Sequence, residues 1–379
     1  MRRSHWDIFC QVIDHYGDIG VAWRLARQLA AEYGVTVRLW VTDLGAFKRL
    51  WPEIVCELET QTCQGVEVHA WGEVFTPVAP AEVVIEAFGC RLPQAYLMAM
   101  PTQAPPAVWI NLEYLSAEPW VRSHHGLPSL HSSLALTKFF FFPGYQTGTG
   151  GVLRERDLLL RRAFFQQHET AAFWQRLGVA YPTSALRVSL FAYANPALPA
   201  LLDTWALSGE SILCLIPEGK SVSQIASWLG ESALPVGSVW QRGDLQLQLL
   251  PFLHQDDYDR LLWACDINFV RGEDSCVRAQ WAQKPFVWQA YPQADNAQQP
   301  KLEALSKLYT EDLAPPAAQA NTALWQAWNG RGDVAQAWAG FVRHKSALDA
   351  HAPAWAARLA EPGDLAANLV AFVEAHQAG

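Results

Sequence analysis

The stretch Asp266 to Gln289, D-I-N-F-V-R-G-E-D-S-C-V-R-A-Q-W-A-Q-K-P-F-V-W-Q, decides the fold. A strand predicted over 266–270 leads into a polar turn, a helix extends to Gln283, and a second strand covers 285–289. This alternation of short apolar runs with a helix is typical of parallel α/β architecture. Because the same alternation fills most of the chain, we predict an α/β protein.

Two series of such elements follow one another along the chain. Helices are predicted at 21–33, 196–208, 221–229 and 256–264, and the glycine-rich stretch 144–151 predicts a flexible loop. The chain from Asn296 onward is mostly helical. Two consecutive doubly wound units with a helical tail are the simplest account, and ligands bind beyond the carboxyl ends of the strands in such sheets. The other predicted strands cover 6–13, 35–41, 66–70, 83–88, 108–112, 138–142, 187–193, 211–216 and 245–252.

Composition narrows the function classes. The 379 residues are enough for two domains with their own cores, and a charged fraction of 17% disfavours disorder. The net charge of -9 argues against non-specific binding of nucleic acid. No apolar run reaches the roughly 18 residues of a membrane span, and no signal peptide is predicted, so we expect a cytoplasmic protein. The seven cysteines form no C-x-x-C pair and are predicted to be core residues.

The first turn with candidate chemistry is Asp14-His15-Tyr16-Gly17-Asp18-Ile19-Gly20, between the first strand and the first helix. Gly17 and Gly20 permit a tight backbone and close ligand approach, with Tyr16 beside them. The spacing is not G-x-G-x-x-G, which disfavours a nicotinamide cofactor. Asp14 and Asp18 present two carboxylates, and an aspartate at a helix N-terminus is poised as a base. Spacing alone favours the alternative in which Asp18 caps the helix and Asp14 stabilises a turn.

The second turn is Arg271-Gly272-Glu273-Asp274-Ser275, at the end of a strand and the start of a helix. Backbone N–H groups at a helix start make an anion site, and Ser275 adds a hydroxyl. Arg271 could pair with phosphate oxygens or with Glu273, and Glu273 could accept hydrogen bonds from a ribose diol. A helix capped by Ser275 or Asp274 is the alternative, but it explains less well why these charges crowd one strand end.

Aromatic residues at neighbouring strand ends could complete a nucleotide pocket. Phe191, Tyr193 and Phe252 are suited to stacking on a base, although each taken singly is more typical of a core. Gln255 could contact the edge of a base or lie on an exposed helix surface. The run Asp256-Asp257-Tyr258-Asp259 has D-x-D spacing, but it opens a helix, and we therefore favour capping over a metal site there.

Two long stretches resemble the EarP family, the protein-arginine rhamnosyltransferases of bacteria. The first is W-D-I-F-C-Q-V-I-D-H-Y-G-D-I-G-V-A-W-R-L-A-R-Q-L, residues 6–29, and the second covers residues 269–293. The similarity extends over the whole chain. His15 departs from the family pattern, in which asparagine is expected in an N-Y-G-D turn.

The resemblance implies a GT-B fold, with two Rossmann-like domains facing a cleft. Residues 1–183 would form the acceptor domain, completed by a C-terminal helix over 354–379, and residues 184–353 the donor domain. The implied reaction is the inverting transfer of L-rhamnose from dTDP-β-L-rhamnose to one arginine of translation elongation factor P, without a metal or another cofactor. The modified factor helps ribosomes that stall on consecutive prolines.

The resemblance also implies roles for the candidate residues. Phe191 and Phe252 would sandwich the thymine, with Gln255 at its edge. Glu273 would bind the ribose. Asp14 and Asp18 would lie in the acceptor cleft, and we favour Asp18 as the base, with Asp14 orienting the acceptor arginine. The diphosphate would be surrounded by Tyr193, Arg271, Asp274 and Ser275.

Two other functions are compatible with the same residues. A GT-B transferase could use another nucleotide sugar and a small-molecule acceptor. A non-catalytic protein could bind a nucleotide and dock on a translation factor.

Overall fold

The protein divides into two compact units. The computed structural model describes residues 4–13, 16–72, 75–180, 184–293 and 297–377. The first unit comprises Met1–Arg156 with Leu359–Gly379, and the second comprises Asp157–Arg358.

Strands and helices alternate in both units. The strands are β1 (His5–Cys10), β2 (Thr36–Val41), β3 (Thr60–Cys63), β4 (Val66–Ala70), β5 (Val83–Ala87), β6 (Val108–Leu112), β7 (Pro128–Leu130), β8 (Thr137–Phe141), β9 (Leu186–Leu190), β10 (Ile212–Pro217), β11 (Val239–Arg242), β12 (Leu245–Leu250), β13 (Ile267–Arg271) and β14 (Phe286–Gln289). The helices are α1 (Gly17–Tyr33), α2 (Leu44–Leu50), α3 (Gln94–Ala99), α4 (Val121–His124), α5 (Leu158–Phe164), α6 (Thr170–Arg176), α7 (Leu198–Ala206), α8 (Val222–Leu229), α9 (Gln255–Ala264), α10 (Asp274–Trp281), α11 (Gln299–Thr310), α12 (Pro315–Trp328), α13 (Val334–Arg343), α14 (Lys345–Ala360) and α15 (Leu365–Gln377).

The sheet of the first unit has the strand order β3-β4-β2-β1-β5-β6-β8-β7. Strand β1 lies in its middle and pairs in parallel with β2 and β5. The two edge strands, β3 and β7, are antiparallel to their neighbours. Strand β1 is buried on both faces from Trp6 to Cys10, and four of its six residues are apolar, as expected of a central parallel strand.

The sheet of the second unit has the order β11-β12-β10-β9-β13-β14. Strand β9 opens this unit's sheet and pairs in parallel with β10 and β13. Only the edge strand β11 is antiparallel to its neighbour within the described residues. Both units therefore have the strand order of a Rossmann-like doubly wound sheet, and the predicted fold class is confirmed.

The predicted elements are present, with two kinds of difference. The antiparallel edge strands β3, β7 and β11 were not predicted, because they are three or four residues long and partly polar. Strands β9 and β12 end at Leu190 and Leu250, earlier than predicted. The apolar pattern continues there through aromatic residues that belong to the following loops.

The C-terminal helix returns to the first unit, as predicted. Gln28 Nε2 on α1 donates to Asp364 Oδ1, 3.1 Å away, at the start of α15. Asn368 Nδ2 donates to the carbonyl of Gly150 at 3.1 Å. The helical tail breaks between α14 and α15, at Pro362-Gly363.

The compact units differ from the predicted domains at residues 157–183 and 354–358, which belong to the second unit. Arg162 Nε on α5 donates to the carbonyl of Ala282 at 2.7 Å. The rings of Phe165 and Trp263 lie 5.6 Å apart. This segment therefore packs on the second unit, whereas the predicted boundary after residue 183 placed it with the first.

The glycine-rich stretch 144–151, predicted as a flexible loop, packs closely against its neighbours at Gly150 and Gly151. A Cβ at Gly150 would lie 2.3 Å from Phe141, and one at Gly151 would lie 2.4 Å from the carbonyl oxygen of Gly363. These glycines allow close approach of neighbouring groups.

Most of the cysteines are core residues, as predicted, and many tryptophans are buried as well. Six of the seven cysteines are buried and Cys56 is exposed. Burial raises the pKa of the Cys90 thiol to about 12, which keeps it protonated. Trp205, Phe269 and Trp338 pack together in the core of the second unit.

None of the helices in the described ranges combines the length and apolar character that crossing a bilayer requires.

Candidate functional site

The first candidate site lies where the strand order reverses in the sheet of the second unit. Strand β9 has β10 on one side and β13 on the other. Doubly wound sheets bind ligands at such a reversal, beyond the carboxyl ends of the strands. Phe191 and Tyr193 follow β9 there, and the turn 271–275 follows β13.

Backbone and side-chain hydrogen bonds fix the turn after β13. Gly272 has a φ of 63°, which favours glycine. Trp288 Nε1 donates to its carbonyl at 2.8 Å. Ser275 Oγ accepts from Arg271 N at 3.1 Å and donates to Arg271 O. The Ser275 hydroxyl, predicted to contact the diphosphate, therefore closes the turn in this structure.

Helix α10 starts at this turn with its positive dipole end. Glu273 is the N-cap residue, and its own side chain makes no capping hydrogen bond. The alternative in which Ser275 or Asp274 caps α10 is therefore not what the structure shows. Asp274 Oδ2 instead accepts from Gln255 Nε2 at 3.3 Å.

Arg271 is a buried cation between two aromatic rings. Its side chain is only 5% exposed. The guanidinium carbon lies 4.4 Å from the ring centroid of Phe191 and 4.3 Å from that of Tyr193. Within the residues that the structure describes, Nε has no hydrogen-bond partner, and no carboxylate forms an ion pair with Arg271, so the suggested pairing with Glu273 is absent. Burying a cation without an anion is costly, and the arrangement suits an anionic ligand.

The other predicted donor residues lie on the same edge of the sheet. Gln255 is the first residue of α9 and is buried, so the alternative of an exposed surface position is wrong. Phe191 is half-buried, and Tyr193 is buried, with its backbone N–H donating to Gln289 Oε1 at 2.9 Å. Phe252 follows β12, two places from β9 in the sheet.

Three residues near this edge were missed in the sequence. Tyr258 lies 5.4 Å from the Phe191 ring, and Tyr291 lies 5.4 Å from the Tyr193 ring. Lys220 Nζ is 5.9 Å from the Tyr193 centroid. Lys220 follows β10 and Tyr291 follows β14. The expectation that ligands bind beyond the carboxyl ends of the strands could therefore have indicated both residues.

The acidic run at the start of α9 forms ion pairs. Asp257 Oδ1 lies 2.5 Å from Arg176 Nη2 and 2.8 Å from Arg260 Nη1. Its Oδ2 lies 3.1 Å from His254 Nε2. Asp259 is paired with Arg278. No group of three or more His, Cys, Asp or Glu side chains in the described ranges is placed to hold a metal ion.

The Asp257 network predicts a pH-dependent contribution to stability. Burial raises the pKa of this carboxyl, but the hydrogen bonds from His254 and Arg260 outweigh burial and lower it to about 2. A depressed carboxyl pKa stabilises the fold above the unfolded-state value near 3.8 and loses that effect as pH falls toward 2. We expect Asp257→Asn to lower the free energy of unfolding by about 2 kcal/mol at neutral pH.

Urea unfolding of wild type and variant at neutral pH and at about pH 3 checks this expectation. The difference between the two proteins should shrink at the lower pH. An equal difference at both values would contradict the assigned ion pairs.

The second candidate site lies at the corresponding reversal in the sheet of the first unit, beyond β1. Asp18 is in the first turn of α1 and is 2% exposed. Its Oδ2 accepts from Ile13 N at 2.8 Å, and its Oδ1 accepts from Tyr114 Oη at 3.1 Å. Two donors stabilise the charged carboxylate. Tyr16 is the N-cap residue of α1, and its own side chain makes no capping hydrogen bond.

Tyr114 is a residue of this site that sequence reasoning missed. It follows β6, and its ring stacks on Phe88, after β5, with centroids 4.8 Å apart. Asp18 and Tyr114 thus connect the ends of strands β1 and β6.

Among the predicted loop residues, Gly17 begins α1 and the Gly20 N–H donates to the Tyr16 carbonyl at 2.9 Å. Asp14 and His15 lie outside the described residues.

The chain matches known proteins over nearly its whole length. A family model described as elongation factor P (EF-P) rhamnosyltransferase EarP covers residues 6–374. A protein-arginine rhamnosyltransferase of Pseudomonas putida is 51% identical over 372 residues, 98% of each chain. Another, of Pseudomonas aeruginosa, is 49% identical over 97% of this chain and 98% of its own.

Solved structures agree with this assignment. One that describes EarP-mediated arginine glycosylation of translation elongation factor EF-P is 40% identical, covers 98% of this chain and 99% of its own, and has a TM-score of 0.71. The glycosyltransferase VinC, solved in complex with dTDP, is 11% identical, covers 99% of this chain and 100% of its own, and has a TM-score of 0.50, which shows the same fold. The two Rossmann-like units are thus those of a GT-B glycosyltransferase. This chain belongs to the EarP family of elongation factor P rhamnosyltransferases.

Proposed function

We propose that this chain transfers L-rhamnose from dTDP-β-L-rhamnose to one arginine side chain of translation elongation factor P, with inversion at the anomeric carbon. Membership of the EarP family and relatives named protein-arginine rhamnosyltransferase support the proposal. The reaction would take place in the cytoplasm, where translation factors act. Its product would help ribosomes that stall at consecutive prolines.

The observation that favours a nucleotide-sugar donor is the buried Arg271 guanidinium without an ion pair among the described residues. A diphosphate beyond the end of β13 would supply the missing negative charge and accept charge-assisted hydrogen bonds. The N-terminus of α10 would stabilise the same charge through its dipole. Both effects grow as the dTDP leaving group gains charge in the transition state. Tyr193, Asp274 and Ser275 would complete the surroundings of the diphosphate.

The nucleoside would lie on the same sheet edge. Phe191 and Phe252 would enclose the thymine, with Gln255 at its edge. Because one side of the Phe191 ring contacts the Arg271 guanidinium, the thymine would use the other face. The second unit, Asp157–Arg358, would be the donor domain, and the first, Met1–Arg156 with Leu359–Gly379, the acceptor domain.

The acceptor chemistry requires a base. A guanidinium is a poor nucleophile, because its charge and lone pair are delocalised. A carboxylate pair can orient this planar group through two hydrogen bonds and accept a proton as the new bond forms. We assign the base to Asp18, which Ile13 N and Tyr114 Oη hold in place. Asp14 would orient the acceptor arginine, and Tyr16, Gly17 and Gly20 would shape the loop.

Glu273→Ala should weaken donor binding before it affects turnover at saturating donor. A carboxylate that accepts hydrogen bonds from a ribose diol contributes about 1.5–3 kcal/mol, so we expect the dissociation constant to rise about 10-fold or more. Calorimetric titration with dTDP measures it. The exposed Glu210→Ala, in the same unit, is a matched control that should bind like the wild type. Unchanged affinity in Glu273→Ala would remove Glu273 from the ribose site.

Chelation distinguishes the proposed leaving-group stabilisation from metal catalysis. Arg271 and the α10 N-terminus would stabilise departing dTDP without a metal, so turnover in EDTA should equal turnover in buffer. The transfer rate is measured with and without the chelator. Strict dependence on added Mg²⁺ would contradict this mechanism and direct attention to Asp256 and Asp257.

Intact-protein mass spectrometry of purified elongation factor P tests the proposed function. A gain of one deoxyhexose with dTDP-rhamnose, and none with other nucleotide sugars, supports it. A transferase with a small-molecule acceptor would leave the factor unmodified while consuming donor. A non-catalytic nucleotide-binding protein would bind donor tightly without consuming it.

A further inference from the structure

A buried ion pair joins α9 and α10, the two helices that begin at the proposed donor site. Arg278 on α10 donates to Asp259 on α9 through Nε, 3.0 Å from Oδ1, and through Nη2, 2.6 Å from Oδ2. The two side chains are 1% and 2% exposed. Planar two-point contact of this kind constrains orientation as well as distance.

The sequence spacing connects this pair to the site. Asp259 lies four residues after Gln255, and Arg278 lies four residues after Asp274. Residues four apart lie on the same face of a helix, one turn from each other. Gln255 and Asp274 themselves meet at 3.3 Å. The ion pair therefore lies one turn behind the contact between the two predicted donor residues.

Net stability is a weak explanation for such a pair. Removing two charges from water costs several kcal/mol per ion by order of magnitude, and apolar replacements of buried pairs are often neutral or stabilising. What an apolar pair cannot reproduce is the fixed direction of two hydrogen bonds. We propose that Asp259 and Arg278 are positioning residues that hold the N-terminal ends of α9 and α10 in the relative orientation that donor binding requires. This inference rests on the proposed donor site at that edge.

The double variant Asp259→Leu/Arg278→Met removes both charges and leaves apolar groups of similar length. We expect its Tm to stay near that of the wild type, while the Kd for dTDP rises about 10-fold, since small misplacements of site residues have large effects. In the transfer assay, the KM for the donor should rise, and kcat at saturating donor and the KM for the acceptor protein should change little. A pair with only a structural role would not raise the KM for the donor while leaving kcat and the KM for the acceptor protein nearly unchanged.

A second ion pair of the same unit gives a matched control. Arg187 and Asp266 also make a two-point contact, with Nε–Oδ2 at 2.9 Å and Nη2–Oδ1 at 2.7 Å. They lie at the opposite end of the sheet, at the starts of β9 and β13. Arg187→Met/Asp266→Leu should leave the Kd for dTDP within about 2-fold of the wild-type value.

Wild-type affinity for dTDP in the Asp259→Leu/Arg278→Met protein, with Tm retained, would overturn the inference. If that protein does not fold, Arg278→Lys tests the same inference, because lysine keeps a cation beside Asp259 but cannot make the planar two-point contact of a guanidinium. It should weaken dTDP binding as well, and unchanged binding would overturn the inference. Failure of the wild type to bind dTDP would instead refute the proposed donor site itself.

Discussion

Asp18→Asn is expected to lower kcat for arginine rhamnosylation by about 10²–10⁴-fold, the usual contribution of a general base. The affinity for dTDP-rhamnose should remain within about 2-fold of the wild-type value. An amide oxygen can still accept the hydrogen bond that Ile13 N donates to Asp18 at 2.8 Å. The fold of the turn is therefore preserved while the proton acceptor is lost. Single-turnover assays and donor titration measure the two quantities separately.

A second aspartate of the same unit serves as the control for this experiment. Asp43 is the N-cap of α2 and accepts from Ala46 N at 2.9 Å. Because asparagine caps helices as well as aspartate does, Asp43→Asn should keep full turnover. Loss of donor binding in Asp18→Asn, or turnover close to that of the wild type, would exclude Asp18 as the base.

Arg271→Met is expected to have the largest effect on donor binding. Removing a charge-assisted contact to the diphosphate should raise the Kd for dTDP about 100-fold, corresponding to about 3 kcal/mol. The same change removes a buried cation that has no ion pair within the described part of the chain, so Tm without ligand should stay constant or increase. Calorimetric titration with dTDP and thermal unfolding measure the two effects.

Arg242 provides a matched control on the edge strand β11. Its guanidinium carbon lies 4.3 Å from the Trp228 ring centroid, a similar contact to that of Arg271, but its side chain is 52% exposed. Arg242→Met should leave dTDP binding unchanged. Equal dTDP affinity in Arg271→Met and wild type would show that the diphosphate binds elsewhere.

Much of the fold could be predicted from the sequence, because it depends on local patterns. The buried parallel strands β1, β9 and β13 are short apolar runs followed by polar turns, and this signal is strong in a single sequence. The edge strands were missed because half-exposed short strands lack it. The segment 157–180 was assigned to the first domain, because the local sequence of a helix does not show which of two units it packs on.

The candidate site was predictable in position more than in detail. The expectation that ligands bind beyond the carboxyl ends of strands indicated Phe191 and the turn 271–275. The structure places both at the reversal of strand order. The same expectation could not indicate that Arg271 lies between Phe191 and Tyr193, because these contacts depend on how the loop after β9 meets the end of β13, far away in sequence. Tyr114 was missed for the same reason, since its partner Asp18 is 96 residues away in sequence.

The most direct test of the donor site is a crystal structure of the protein with dTDP bound. We expect the diphosphate oxygens within hydrogen-bonding distance of the Arg271 guanidinium and beside the N-terminus of α10, with the thymine against Phe191 and Phe252. A nucleotide bound away from the carboxyl ends of β9 and β13, with Arg271 still lacking an anion, would contradict the account.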